Sequence, residues 1–190
     1  MLNVVAFDLD KTLTDRDCLI RFLVYLRRNG VRLNVSAGVR YFRFSRSSLK
    51  RCACGLLSGL DVQVVDSLAA EFVATKARWW LRSTMVSQLR EHQASGAKVV
   101  IVSASLSVYV KFFAELLNVD YLATTIEVKD DRFSGAIAGD NVRRDEKVNQ
   151  LTSWLSEMGF GRSDVHLTAY GDSSGDSQMM KWADSAIWVK

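Results

Sequence analysis

Short apolar runs alternate with longer stretches of helical period along this chain. Residues 3–8 form a compact apolar run (Val4, Val5, Ala6, Phe7) that ends at a polar turn, which predicts a buried strand. From about residue 16 to 82 the pattern is helical. Leu19, Phe22, Leu23 and Leu26 recur at helical spacing, as do Val64, Leu68, Phe72 and, later, Trp79, with Gly30, Gly38, Gly55 and Gly59 as punctuation. The period then changes. A helix over Met85–Gln93 stops at Gly96, and a strand follows at Lys98–Val102. Next come a helix at Leu106–Leu117, a strand at Tyr121–Ile126 and a hairpin over Ile126–Ile137 turning near Asp130 and Asp131. A helix at Asp145–Met158, a strand at Val165–Ala169, a short helix at Ser177–Ala183 and a strand at Ala186–Val189 complete the series. Strands alternating with helices predict an α/β fold with a doubly wound, mostly parallel sheet. Residues 1–14 and 84–190 make this core, and residues 15–83 are a helical insertion. The last strand has nothing behind it, so the natural protein is expected to continue past Lys190.

Of the 190 residues, 48% are hydrophobic and 24% charged, the balance of a globular chain. There is no basic leader before the first strand and no run of about 18 apolar residues. Cys18, Cys52 and Cys54 are too few for a disulfide framework, and with His92 and His166 they suggest no soft-metal site. A reducing, cytoplasmic setting is expected. Charge is unevenly spread. Arg16 to Arg51 holds ten Lys or Arg against one acid, Asp17; that segment is +9 in a chain of +4, so the rest carries −5. Arg40, Arg43 and Arg46 interleave with Tyr41, Phe42 and Phe44. This basic segment reads as a solvated helix face, as a self-association surface, or as an attraction for an anionic substrate or an anionic membrane surface, the last of which would make the protein peripheral to a membrane. Nucleic acid is disfavoured, because no recognition motif accompanies the charge.

Four elements carry candidate chemistry. In Asp8-Leu9-Asp10-Lys11-Thr12-Leu13-Thr14, two carboxylates two residues apart stand where a strand ends, the edge at which parallel sheets bind ligands. Close carboxylates repel unless a cation or a shared proton relieves them, and hard oxygen ligands favour Mg²⁺. Tyr170-Gly171-Asp172-Ser173-Ser174-Gly175-Asp176 also follows a strand and adds two carboxylates, although Asp176 could simply cap the next helix. Ser103, after the strand at 98–102, could hold a phosphoryl oxygen or cap a helix. Lys147, near a helix start, could neutralise developing negative charge or sit solvated on the surface.

These elements, in this order, resemble the haloacid dehalogenase superfamily of phosphohydrolases over essentially the whole chain. The segment 8–14 looks like its first motif, Ser103 its second, Lys147 its third, and Gly171-Asp172-Ser173-Ser174-Gly175-Asp176 its fourth. Residues 15–83 are similar to the helical cap of the branch that includes phosphoserine phosphatase. Asp17 and Phe22-Leu23-Val24-Tyr25-Leu26-Arg27-Arg28 look like a less-characterised set there that includes phosphatidylglycerophosphate phosphatases. The resemblance implies a Mg²⁺-dependent phosphatase. Asp8 is its nucleophile, forming an aspartyl-phosphate, and Asp10 its acid and base. The metal is held by Asp8, the Asp10 carbonyl and Asp172, with Asp176 ordering its shell. The phosphoryl group is held by Ser103, Lys147 and backbone N–H near Leu9. Thr12 is expected to brace the first loop and Lys11 to face solvent. Asp17 and Arg51 are candidate specificity residues. Phosphoserine phosphatases carry a glutamate where this chain has Asp17, and their arginine pattern fits Arg51 only at a shifted spacing. The expected substrate is a phosphorylated small molecule or lipid. Phosphoserine, transfer to an alcohol acceptor, and an idle membrane-surface binding protein remain alternatives.

Overall fold

The computed structural model describes residues 1–40 and 46–190, with the backbone alone at 46 and 47. Tyr41, Phe42, Arg43 and Phe44 therefore lie outside the described residues, as does the Arg46 side chain, and with them much of the basic, aromatic stretch.

Six strands form one sheet in the order β4-β3-β2-β1-β5-β6. They are β1 (Leu2–Phe7), β2 (Lys98–Leu106), β3 (Asp120–Lys129), β4 (Arg132–Ala138), β5 (Val165–Gly171) and β6 (Ser185–Trp188). All neighbours run parallel except β3 and β4, the hairpin, whose turn residues Asp130 and Asp131 both take positive φ. Central β1 is apolar on both faces because helices cover both, as in parallel sheets generally. Strand order reverses between β1 and its two parallel neighbours, so their C-terminal ends open a crevice there.

The helices are α1 (Leu19–Arg28), α2 (Val35–Val39), α3 (Arg46–Leu57), α4 (Val62–Thr75), α5 (Ser83–Ala94), α6 (Ser107–Leu117), α7 (Asp145–Glu157) and α8 (Ser177–Trp182). Helices α1 to α5 fall between β1 and β2, and the first four of them lie in the insertion between Thr14 and Leu81. The chain leaves and re-enters at one place: Thr14 bridges Leu81, Asp15 N–H donates to Trp80 O at 2.8 Å, and Arg82 N–H donates to Leu13 O at 2.8 Å. Helix α1 buries Leu19, Phe22, Leu23 and Leu26, the expected stripe. Phe22 packs against Phe72 of α4 and Tyr109 of α6, with ring centroids 5.4 and 5.1 Å apart, and this aromatic group joins insertion to core. Helix α3 is tied to β4: Gly59 N–H donates to Phe133 O, Phe133 N–H to Leu60 O, and Ser58 Oγ to Ser134 O. Gly135 permits the approach, since a Cβ there would lie 2.8 Å from Ser58 Cβ and its φ is +89°.

Three details differ from expectation. Helix α4 buries Val65, Ala69, Phe72 and Val73, while Val64 is 52% exposed and Trp79 76%. Strand β2 runs on to Leu106 instead of ending at Val102. Thr12 is buried with a hydroxyl that finds no partner among the described residues, and Thr14 does the bracing, its single hydroxyl proton shared between Arg16 O at 2.8 Å and Leu9 O at 3.1 Å. Among the described residues no helix is long and apolar enough to cross a membrane.

Candidate active site

Asp8 stands at the C-terminal end of β1, where its N–H donates to Tyr170 O at 2.9 Å and locks it to the end of β5. The turn that follows is wound wider than an α-helix, with Thr14 N–H reaching Leu9 O, and it carries Lys11 at φ +62°. A left-handed non-glycine residue costs about 1–3 kcal/mol and persists only where its surroundings fix it, and such residues gather at functional sites. Lys11 is exposed, and it also lines the cavity that this turn floors.

Lys147 enters from the first turn of α7 and is 1% exposed. A buried ammonium at a helix N-terminus is unfavourable on two counts, burial and the helix dipole. Three acceptors meet its three protons: Asp8 Oδ1 and Asp176 Oδ1 at 2.6 Å and Val102 O at 2.5 Å. Burial opposes its charge, yet Asp8 and Asp176 outweigh burial and its pKa is raised. The surface alternative for Lys147 is thereby removed, and so is the capping alternative for Asp176. Asp176 makes no side-chain bond to its helix; its Oδ2 accepts from Ser173 N–H and Oγ, each at 3.0 Å. Gly171 is required beside it, because a Cβ would lie 2.7 Å from Asp176 Cβ.

Carboxylate oxygens of Asp8, Asp172 and Asp176 all lie within 4.8 Å of one another. Burial, only partly offset by Lys147, pushes the Asp8 carboxyl up to about 7. Burial and then Asp176 raise Asp172 as well. Three converging hard oxygen donors with one ammonium among them leave a net negative charge, and a small divalent cation suits that donor set. The Asp10 carboxyl is turned away from this group. Its Oδ1 accepts from Cys18 N–H at 2.8 Å and its Oδ2 from Ser105 Oγ. Burial, and after it Asp17, raise its pKa.

One cavity of about 530 Å³ takes in Asp8, Asp10, Ser103, Lys147, Asp172 and Asp176 together. Ser103 lies in the extended β2, its Oγ accepting from Ser105 N–H at 3.1 Å, so it caps no helix. Of the two specificity candidates, Asp17 lines the cavity; Arg51 is exposed and does not. Its neighbour Lys50 does. Lys50 is 9% exposed, with Nζ 3.5 Å from Asn141 Oδ1, and burial, only partly offset by Asp10, brings its pKa down to about 8. Asn141 is itself held by Thr124 Oγ1 at 3.1 Å. Sequence reasoning missed Lys50 and Ser105. Helical phase, one residue before Arg51 and facing inward, was the available signal for Lys50.

The model of haloacid dehalogenase-like hydrolases matches residues 5–181. The chain is 38% identical over 192 residues to protein CicA of Caulobacter vibrioides, covering 95% of this chain and 83% of that one. It is 32% identical over 145 residues to a phosphoserine phosphatase of Lactococcus lactis, covering 76% and 62%. Among solved structures, a Bordetella pertussis protein described as of unknown function superposes with a TM-score of 0.87 at 24% identity, over 99% of this chain and 90% of that one. A phosphoserine phosphatase in apo form gives 0.67 at 20% identity, over 99% and 86%. The two structural likenesses speak for the fold alone.

Proposed function

Because the chain belongs to the haloacid dehalogenase-like hydrolases, we propose that it is a Mg²⁺-dependent phosphatase acting on a phosphate monoester through Asp8. The observation that carries this is the Lys147 ammonium bridging Asp8 and Asp176 at 2.6 Å each, with Asp172 in the same group. Residues 15–83 serve as the cap and the remainder as the catalytic core.

Asp8 attacks phosphorus in line; a bond forms from its carboxylate oxygen as the bond to the alcohol oxygen breaks. Asp10 gives its proton to the departing oxygen. Water then attacks the aspartyl-phosphate, Asp10 takes a proton from that water, and inorganic phosphate leaves with Asp8 restored. Ser103, Lys147 and the Leu9 N–H hold the phosphoryl oxygens. Mg²⁺ would be held by Asp8, Asp172 and the Asp10 carbonyl, with Asp176 ordering its shell; when bound it offsets the charge of the phosphoryl group.

Hydrolysis of p-nitrophenyl phosphate in Mg²⁺, lost in chelator and restored by re-addition, is the direct test. Activity that persists in chelator would rule out the metal dependence. Independently of turnover, Mg²⁺ should stabilise the protein, by about 2.7 kcal/mol at a hundredfold excess over Kd. The gain should be larger at pH 8 than at pH 5.5. Asp8 has a raised folded pKa, so in the metal-free protein its proton contributes stability that is complete below 3.8 and lost as pH rises through about 7. The cation must displace that proton in acid. Scanning calorimetry at both pH values, with Asp172→Asn as control, measures this; an equal gain in parent and Asp172→Asn would remove Asp172 from the ligand set.

Lys50 supports a substrate whose leaving group carries negative charge. With its ammonium lost as pH rises through about 8, kcat/KM on such a substrate should fall in that range. Lys50→Arg should move this alkaline limb up by more than about one unit, because guanidinium stays charged. Lys50→Met should raise KM about tenfold with kcat little changed. An unmoved limb in both variants would exclude Lys50. The expected attraction to anionic lipid surfaces is supported, among the described residues of the basic segment, by exposed Arg21, Arg27, Arg28, Arg32, Arg40 and Arg51.

A further inference from the structure

Strand β2 carries two residues that its partner does not match. Ser103 stands opposite Ala123 and Leu106 opposite Thr124, so Ala104 and Ser105 form a bulge against β3. Bulges re-aim side chains, and they recur beside active sites. This one is fastened from both sides. Ser103 Oγ accepts the Ser105 N–H, and Thr124 Oγ1 donates to Ala104 O at 2.9 Å. In a regular strand Ser105 would simply repeat the direction of Ser103. Here its hydroxyl, on a residue 4% exposed, reaches the Asp10 carboxyl and donates to Oδ2.

We propose that Ser105 is a positioning residue for Asp10, fixing the plane of the carboxyl group that exchanges a proton with the leaving oxygen and then with water. The inference rests on the reading of Asp10 as acid and base. Asp10 sits on extended backbone just before the left-handed Lys11. Two donors from two separate segments, Cys18 N–H on Oδ1 and Ser105 Oγ on Oδ2, hold its carboxyl plane. Proton transfer is steep in distance and angle, so a carboxyl held in place is worth more than one that searches. The Ser105 hydroxyl donates to one lone pair of Oδ2 and leaves the other free for the proton that passes to the leaving oxygen and is later taken from water, so no heavy atom moves between the two half-reactions.

The test compares two esters by kcat/KM, which reports only steps up to phosphoryl transfer. A p-nitrophenolate leaves without a proton, whereas the alkoxide of glycerol 2-phosphate needs one. Ser105→Ala should lower kcat/KM about 30-fold on the alkyl ester and less than about threefold on the aryl ester, and Ser105→Thr should restore the alkyl rate to within about threefold. A general weakening of the fold would lower both esters alike, and that result would overturn the proposal; so would Ser105→Thr as poor as Ser105→Ala on the alkyl ester. Asp10→Asn is run beside them. If it discriminates between the esters and Ser105→Ala does not, the role of Ser105 falls alone. If neither discriminates, the acid role of Asp10 falls with it.

Discussion

Asp8→Asn should lower kcat by on the order of 10⁴-fold or more while leaving the fold intact. The amide oxygen is a poor nucleophile, so the bond to phosphorus has no partner on the enzyme side. The fold tolerates the change for a reason visible in the site. Burial already pushes the Asp8 carboxyl up to about 7, so its neutral form is accessible near neutral pH, and a neutral amide of the same shape is no stranger to that position. Asn Oδ1 can still accept from Lys147 Nζ, which keeps the 2.6 Å bond in kind. Removing one of three crowded negative charges even relieves Asp172 and Asp176. The unfolding midpoint of the metal-free variant at pH 8 should therefore equal or exceed that of the parent, while its gain on adding Mg²⁺ shrinks. Steady-state kinetics with a trapped phosphoenzyme measured by intact mass, alongside thermal unfolding, reads both. Turnover within tenfold of the parent would end the assignment of Asp8 as nucleophile.

Much of this site is legible in the order of apolar and polar residues. Asp8 and Asp10 follow an apolar run and precede a polar turn, and a parallel sheet opens its ligand crevice at such an edge, so local pattern and global topology agree. Asp172 and Asp176 follow a second apolar run for the same reason. The α1 stripe is legible because Arg21, Arg27 and Arg28 mark the polar face opposite Leu19, Phe22, Leu23 and Leu26, although Ile20 and Val24 share that exposed face. Helix α4 is different. Val62, Val64, Val65, Leu68 and Ala69 offer two adjacent phases, and the packing of Phe72 on Phe22 selects the one through Val65. Lys50 hides in a run of ten basic residues, where charge count says nothing about direction; the bonds from α3 to β4 turn it inward. Ser105 reads as one more serine before a helix, since a bulge is set by pairing with β3 and pairing leaves no mark in a single strand. Thr12 and Thr14 are chemically alike and both buried, and only the path of the turn decides which hydroxyl finds Leu9 O.

Lys147→Met carries the largest expected penalty to stability, about 3–5 kcal/mol at pH 8 in the metal-free protein, because it leaves buried carboxylates without their counter-charge. Methionine fills the volume but satisfies none of Asp8 Oδ1, Asp176 Oδ1 and Val102 O, all of which lose a donor. The penalty should depend on pH with a definite sign. Lys147 is among the groups that hold the Asp8 pKa down, so without it that carboxyl keeps its proton to higher pH than about 7. A raised folded pKa gives stability that is whole below the unfolded value of 3.8 and disappears as pH climbs through the folded value. The deficit relative to the parent should thus be small near pH 5 and grow through pH 7 and above. Urea unfolding at pH 5.5 and 8 measures it. Adding Asp8→Asn to Lys147→Met should recover part of the loss at pH 8, because one unpaired charge is then gone, and the pair should be strongly non-additive. Lys147→Arg keeps the charge yet should rescue neither stability nor rate. A planar guanidinium cannot direct donors to three acceptors that surround a single nitrogen at 2.5–2.6 Å. A Lys147→Met protein as stable as the parent at pH 8 would mean that the charges around Asp8 are not balanced by Lys147. The electrostatic account of the site would then have to be rebuilt on the solvent and the cation alone.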